Sequence, residues 1–203
     1  MSSQGTPAAG DKKGVWAALR RPSGRYSMLG LISVGFVAGV LFWGSFNASM
    51  EASNSMEFCI SCHEMRQNIY EEYRKTAHYA NPSGVRATCA DCHVPRDWGH
   101  KLVRKVLSVR ELYGKLAGTI DTKEKFEAKR LEMARIEWAR MRASDSRECR
   151  NCHSYESMNL EGQQQRGRKQ HELALRDGQT CIECHKGVAH KKPDGMTEED
   201  AGA

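Results

Sequence analysis

Apart from one run near its N-terminus, this chain is short of the apolar residues that an ordinary core needs. Hydrophobic residues fill 39% of its 203 positions and much of that share lies in the run, so the remainder buries too little to fold on hydrophobic contact alone. Charge is missing altogether between Tyr26 and Met50, which excludes a solvated loop there. Cysteine is missing outside four short motifs, so no thiol is left over. No convincing A-x-A site follows the apolar run, which argues against a cleaved signal peptide.

What is present is a repeated pattern. Cys59-Ile60-Ser61-Cys62-His63, Cys89-Ala90-Asp91-Cys92-His93, Cys149-Arg150-Asn151-Cys152-His153 and Cys181-Ile182-Glu183-Cys184-His185 take up all eight cysteines. C-x-x-C-H is the attachment signature of c-type haem: two thiols add across the vinyl groups and the adjacent imidazole is set against the iron. Paired C-x-x-C motifs could instead build two four-thiolate zinc sites, and disulfides are a further alternative. A zinc site has no need of histidine directly after each second cysteine. With eight histidines in 203 positions, four such placements by chance are negligible. Four covalent porphyrins also answer the missing core, because each brings a large flat apolar surface around which the chain can wrap.

The formal charge of +6 invites a nucleic-acid reading. Four haems carry eight propionates, which brings the holoprotein to about −2 before iron is counted. Lysines and arginines are therefore read as propionate partners, and no nucleic-acid partner is expected. Covalent haem attachment in bacteria takes place outside the cytoplasmic membrane, in an oxidising space, so the motifs must be exported.

Residues 1–25 are polar, small and basic, and read as a cytoplasmic tail. Residues 26–50 form the expected transmembrane anchor, with an apolar centre from Met28 to Phe46 close to the length a spanning helix requires. Lys12, Lys13, Arg20, Arg21 and Arg25 crowd the N-terminal side and orient that side to the cytoplasm, leaving the haem domain periplasmic. Gly35-Phe36-Val37-Ala38-Gly39 is a G-x-x-x-G that could seat a partner helix, including one from a second copy in a homo-oligomer. The first haem motif begins only about a dozen residues past Phe46, so its haem is expected near the bilayer surface.

The rest reads as a duplication. Residues 51–120 form a first dihaem unit and 146–192 a second, with Cys59 and Cys89 thirty residues apart and Cys149 and Cys181 thirty-two. Trp98–Ala117 is expected as one basic amphipathic helix, lying on anionic headgroups or packing on haem faces. A connecting helix within 121–145 opens at Asp121, with Glu124 three residues on, and sets Phe126, Met133, Ile136 and Met141 on one stripe. Residues 193–203 show no periodicity and are expected to be disordered. The fold class is mainly α: one N-terminal transmembrane helix and a haem-packed multihaem cytochrome c domain of two duplicated dihaem units.

Four haems present eight axial positions, and the chain has eight histidines: those of the motifs and His78, His100, His171 and His190. Four bis-histidine irons would use them all. One feature competes with that count. The first motif continues as His63-Glu64-Met65, and a thioether two residues beyond His63 can reach the iron in its place.

Two motif pairs, a single anchor and the C-x-x-C-H-x-M variant resemble the NapC/NirT family of membrane-anchored tetrahaem quinol dehydrogenases, of which NrfH is a smaller relative. The likeness covers about residues 25–195. It includes Cys89-Ala90-Asp91-Cys92-His93-Val94-Pro95, Ile120-Asp121-Thr122-Lys123-Glu124-Lys125-Phe126 and the ending from Cys181 to Pro193. The resemblance implies that Met65 ligates the first iron with His63 displaced, and that Glu111 and Lys105 serve a quinol site. It implies iron ligation by His93, His153 and His185, with His78, His171 and His190 as distal ligands. His100 has no counterpart and is left as a surface or propionate-binding residue. The implied function is oxidation of membrane quinol with delivery of electrons to a periplasmic reductase, nitrate reductase favoured and nitrite reductase open. An anchored relay without its own quinol site is the rival. A longer version with an additional haem domain is not expected, since only eighteen residues follow His185.

Overall fold

The computed structural model describes residues 24–201; most of the expected basic tail lies outside them. Among the described residues the chain is helical and contains no strand. It divides into one compact unit ending at Ser49 and another beginning at Met50.

The first unit is dominated by helix α1, Met28–Ala52, which is long and apolar enough to cross a membrane. Its 25 residues rise roughly 37 Å at about 1.5 Å each, against a hydrocarbon thickness of about 30 Å. Leu29, Phe36 and Phe42 are more than 70% exposed, the reverse of a soluble core helix. Gly35, Gly39 and Gly44 leave open space where β-carbons would stand and help line a shallow groove with Phe36, Val40 and Trp43.

The second unit is a chain of short elements around one long helix. In order these are α2 (Met56–Cys59), a π-helix (Met65–Tyr70), α3 (Glu71–Tyr73), α4 (Cys89–His93), α5 (Trp98–Leu107) and α6 (Val109–Leu116). Then follow α7 (Lys123–Ala143), α8 (Arg147–Arg150), a 3-10 turn (Tyr155–Ser157), α9 (Gln165–Asp177), α10 (Cys181–Cys184) and α11 (Glu198–Ala201). The expected single helix over Trp98–Ala117 is two, broken at Ser108. There the hydroxyl bonds back to the Lys105 carbonyl at 2.7 Å, and such back-bonding competes with the helical ladder. Helix α7 starts one residue later than expected. Thr122 is its cap, accepting from Lys125 N at 3.3 Å, while Asp121 pairs with Lys125.

The apolar cluster is as small as the composition predicts: Trp138 and Met141 of α7 against Ile182 of α10, flanked by Leu131, Ala134 and Met196. The buried stripe of α7 is Phe126, Arg130, Trp138 and Met141, and Ile136 is half exposed rather than part of it. Arg130 enters this stripe because two carboxylates meet it there. At the end of α7 Asp145 and Ser146 both take left-handed backbone, unusual for residues with a β-carbon. The turn drives Ser146 fully inside, where its hydroxyl accepts from Ile182 N at 3.1 Å and ties the third motif to the fourth.

The segment from 193 to 201 is docked, contrary to the disorder expected of it. Pro193 and Asp200 are buried, Met196 packs on the core, and Arg135 holds Asp200 through two bonds of 2.8 and 2.7 Å. Those anchors lie on α7, far away in sequence, so local composition gave no sign of them.

Candidate haem-iron sites

Three of the four motifs adjoin a capped helical turn. In the first half Ser55 caps α2, accepting from Phe58 N at 3.2 Å, and Cys59 ends that helix. The second motif forms α4, where Thr88 and Asp91 exchange a reciprocal capping pair. The fourth motif begins α10, where Glu183 likewise reaches back to Thr180 N at 2.5 Å. One helical turn sets two cysteines three residues apart on the same side, as attachment to a single porphyrin requires. The Cys89 thiol donates to Met56 Sδ at 3.4 Å, which ties the second motif to α2. Cys62, Cys92, Cys152 and Cys184 complete the eight, and all eight are free thiols. Among the described residues no three His, Cys, Asp or Glu side chains converge on one point.

The histidines test the fit of haem iron. Two imidazoles on opposite faces of one iron stand with ring centres about 6 Å apart, since each metal–nitrogen bond is about 2 Å and each ring centre lies about 1 Å behind its nitrogen. His78 and His153 have ring centres 6.2 Å apart, His93 and His190 6.3 Å, and His171 and His185 5.8 Å. Each pair joins a motif histidine to one outside the motifs. A ligating histidine also needs its second nitrogen held. Nδ1 of His78 lies 3.3 Å from the Val188 carbonyl, Nδ1 of His93 2.9 Å from Glu137, and Nδ1 of His171 2.6 Å from Gln163. In all three cases Nε2 is the nitrogen that would meet an iron. The residues fit the group.

The first motif is different. Nε2 of His63 lies 3.2 Å from the carboxylate of Glu64, which is only 4% exposed and meets Lys115 at 3.4 Å. Met65 is half-buried and opens the π-helix, an irregularity that recurs at functional sites. Lys105 donates to Ser53 O at 3.0 Å and to Ser53 Oγ at 2.9 Å, and its burial lowers its pKa. Glu111 is exposed and paired with Arg104 at 2.8 Å. Lys105 and Glu111 thus sit on consecutive helices with different partners. His100 is exposed on α5 and paired with Asp97 at 2.5 Å.

Sequence reasoning missed the carboxylates and arginines that hold these histidines. Glu137 accepts from His93 and is gripped by Arg140, which also reaches Glu148 and the Cys92 carbonyl. Burial works against its charge, yet the hydrogen bonds from His93 and Arg140 keep the carboxyl far below the usual range. Arg130, 5% exposed, forks onto Glu72 with bonds of 2.9 and 2.8 Å and onto Glu127 with two of 2.8 Å. Glu72 in turn accepts from Lys191 N at 2.8 Å, one residue past His190. The Glu127/Arg130 and Glu137/Arg140 spacings are visible in the sequence, but they look like ordinary solvated helix pairs.

The family model described as NapC/NirT cytochrome c family, N-terminal region, matches residues 21–195. The denitrification system component NirT of Stutzerimonas stutzeri is 68% identical over 93% of this chain and 94% of its own length. The cytochrome c-type protein NapC of Escherichia coli K12 is 54% identical over 94% of each. A protein of Allochromatium vinosum described as tetraheme cytochrome-c type is 51% identical over 83% of this chain and 91% of its own. No solved structure matches the chain.

Proposed function

Because the chain belongs to the NapC/NirT cytochrome c family, a family of electron-transfer cytochromes, we propose that it is an anchored tetrahaem protein that oxidises membrane quinol and delivers the electrons to a periplasmic reductase, nitrate reductase favoured. In this reading α1 spans the cytoplasmic membrane with the N-terminus inside. Haem c, when bound, supplies reversible one-electron exchange at four irons.

The chain's own residues hold, orient and exclude. The eight motif cysteines would attach four haems, and the pairs His78 and His153, His93 and His190, and His171 and His185 would hold three of the irons. Met65 would hold the first, with His63 turned instead to Glu64. The observation that carries the reading is this contrast between three pairs at bridging distance and a first histidine turned to a buried carboxylate.

Quinol gives up two protons with its two electrons. Lys105, whose pKa burial depresses, and Glu111, exposed to solvent, would orient the hydroxyls and take the protons outward. Arg104 holds Glu111 from one side and the His93 carbonyl from the other, at 3.2 Å, so α5 and α6 are tied to the second motif.

The test is reduction of the purified, haem-loaded full chain by a menaquinol analogue in detergent, followed at the haem absorbance. Complete reduction on mixing is expected. A protein that dithionite reduces and quinol does not would be an anchored relay without a quinol site. A second reading has a specific support: the identity is higher to a relative named as a denitrification system component than to NapC, which favours a reductase of denitrification as acceptor, and nitrite reductase is the candidate. Electron delivery to each purified reductase separates the two.

A further inference from the structure

Helices α5 and α6 are built inside out. In α5, Val103, Val106 and Leu107 are exposed, at 57, 63 and 62%. In α6, Val109, Leu112 and Leu116 are exposed at 61, 57 and 78%. At roughly 100° per residue each set falls within about a third of its helix's circumference. The cations of α5 lie on the other side and are tucked in, the side chains of Lys101 and Arg104 being only 16 and 15% exposed. Lys101 bonds Glu51 at 2.7 Å, Lys105 bonds Ser53, and Arg104 bonds the His93 carbonyl and Glu111. A helix on the surface of a water-soluble domain has the opposite arrangement.

Two features say what covers this face. The tucked cations fasten α5 to Glu51 and Ser53, residues of the second unit that follow directly in sequence on the expected span of 26–50. The second haem motif lies on the cationic side, since Arg104 bonds the His93 carbonyl. A haem held by Cys89 and Cys92 would therefore be nearer the charged side of α5 than its valines. An apolar strip turned from that motif, on a helix bonded to the residues that follow a span in sequence, is placed for acyl chains.

We propose that α5 and α6 lie in the outer membrane–water interface with Val103, Val106, Leu107, Val109, Leu112 and Leu116 sunk among the lipid tails, held by apolar insertion rather than by adsorption of their lysines and arginines to headgroups. The proposal rests on the anchor reading given above. It makes the second unit a two-point attachment, in which α1 spans and α5–α6 fix the haem domain's tilt and distance from the bilayer.

The experiment uses the full haem-loaded chain in nanodiscs of phosphatidylethanolamine and phosphatidylglycerol, with p-benzoylphenylalanine in place of Val106, Leu112 or, as a water-facing control, Lys169. Irradiation followed by mass spectrometry reads the adduct at each position. Lipid adducts at 106 and 112 at least tenfold above those at 169, unchanged by 1 M salt, support the proposal. Adducts to a second copy or to the same chain would overturn it in favour of a protein-covered face, and lipid adducts equal at all three positions would overturn it as chance encounter. A chain that stays in the discs without adducts at 106 or 112 refutes the interfacial helices while leaving the anchor reading intact. Loss of the chain from the discs refutes both.

Discussion

Replacing Arg130 by methionine gives a sharp test of how the second unit is held. The aliphatic stem is roughly kept while the charge goes, and with it the guanidinium that lies 5.2 Å from the centre of the Phe126 ring. Arg130 is 5% exposed and makes four bonds to Glu72 and Glu127, so its loss leaves two carboxylates facing a cavity without their cation. Breaking a buried pair from one side costs about 3–5 kcal/mol. The side chains of Glu72 and Glu127 retain 24 and 32% exposure, so water relieves part of that cost, and about 2–3 kcal/mol is expected. For a domain of this size that lowers the apparent Tm by about 4–12 °C. Glu72 also holds Lys191 N, so the same change loosens the segment carrying His190, and one low-spin signal should weaken. The assay is a thermal melt of the haem-loaded protein followed at the Soret band, with the low-spin spectrum recorded before heating. Glu72→Gln in the same background should add less than its separate effect, because the two share one network. An unchanged Tm with intact low-spin iron in the Arg130→Met protein would refute the reasoning.

Other expectations are simpler to state. Glu137→Gln removes the negative charge from His93, so the midpoint of one haem should rise, by on the order of tens of millivolts in a spectroelectrochemical titration, with no loss of haem. Met65→Leu should change the spectrum of a single haem and slow quinol oxidation at least tenfold; an unaltered spectrum would dismiss Met65 as a ligand. His100→Ala should leave haem content and all spectra unchanged, since its ring is paired with Asp97 at the surface. Glu72 and Glu137 have folded pKa values below the unfolded value of 4.5. Their contribution to stability is therefore present above that value and lost as the pH falls through the folded ones, so Tm should be level near neutrality and decline below about pH 4.5. A Tm that rose on acidification would contradict this sign.

The family could be read without coordinates, because C-x-x-C-H is a pattern of neighbours in the chain and spacing alone picks it out. The anchor was equally readable, because a bilayer demands an uncharged run of a certain length, and α1 runs only two residues past the expected end. The scarcity of core was a matter of composition, and among the described residues the buried hydrophobics are Tyr73, Phe126, Trp138, Met141 and Ile182.

Tertiary structure decided which histidine stands beside which. His78 and Val188 are 110 residues apart, and His93 meets His190 across the whole second unit. It decided that Glu64 takes His63, that Glu137 steadies His93, and that Arg130 lies inward on a helix whose charges all looked solvated. It also turned the lysines and arginines of α5 inward and docked α11 by way of Arg135. The physical division is one of range. Covalent attachment and membrane length are fixed by residues adjacent in sequence, whereas the partner of a buried charge or an imidazole is whatever the fold brings within 3 Å or so of it.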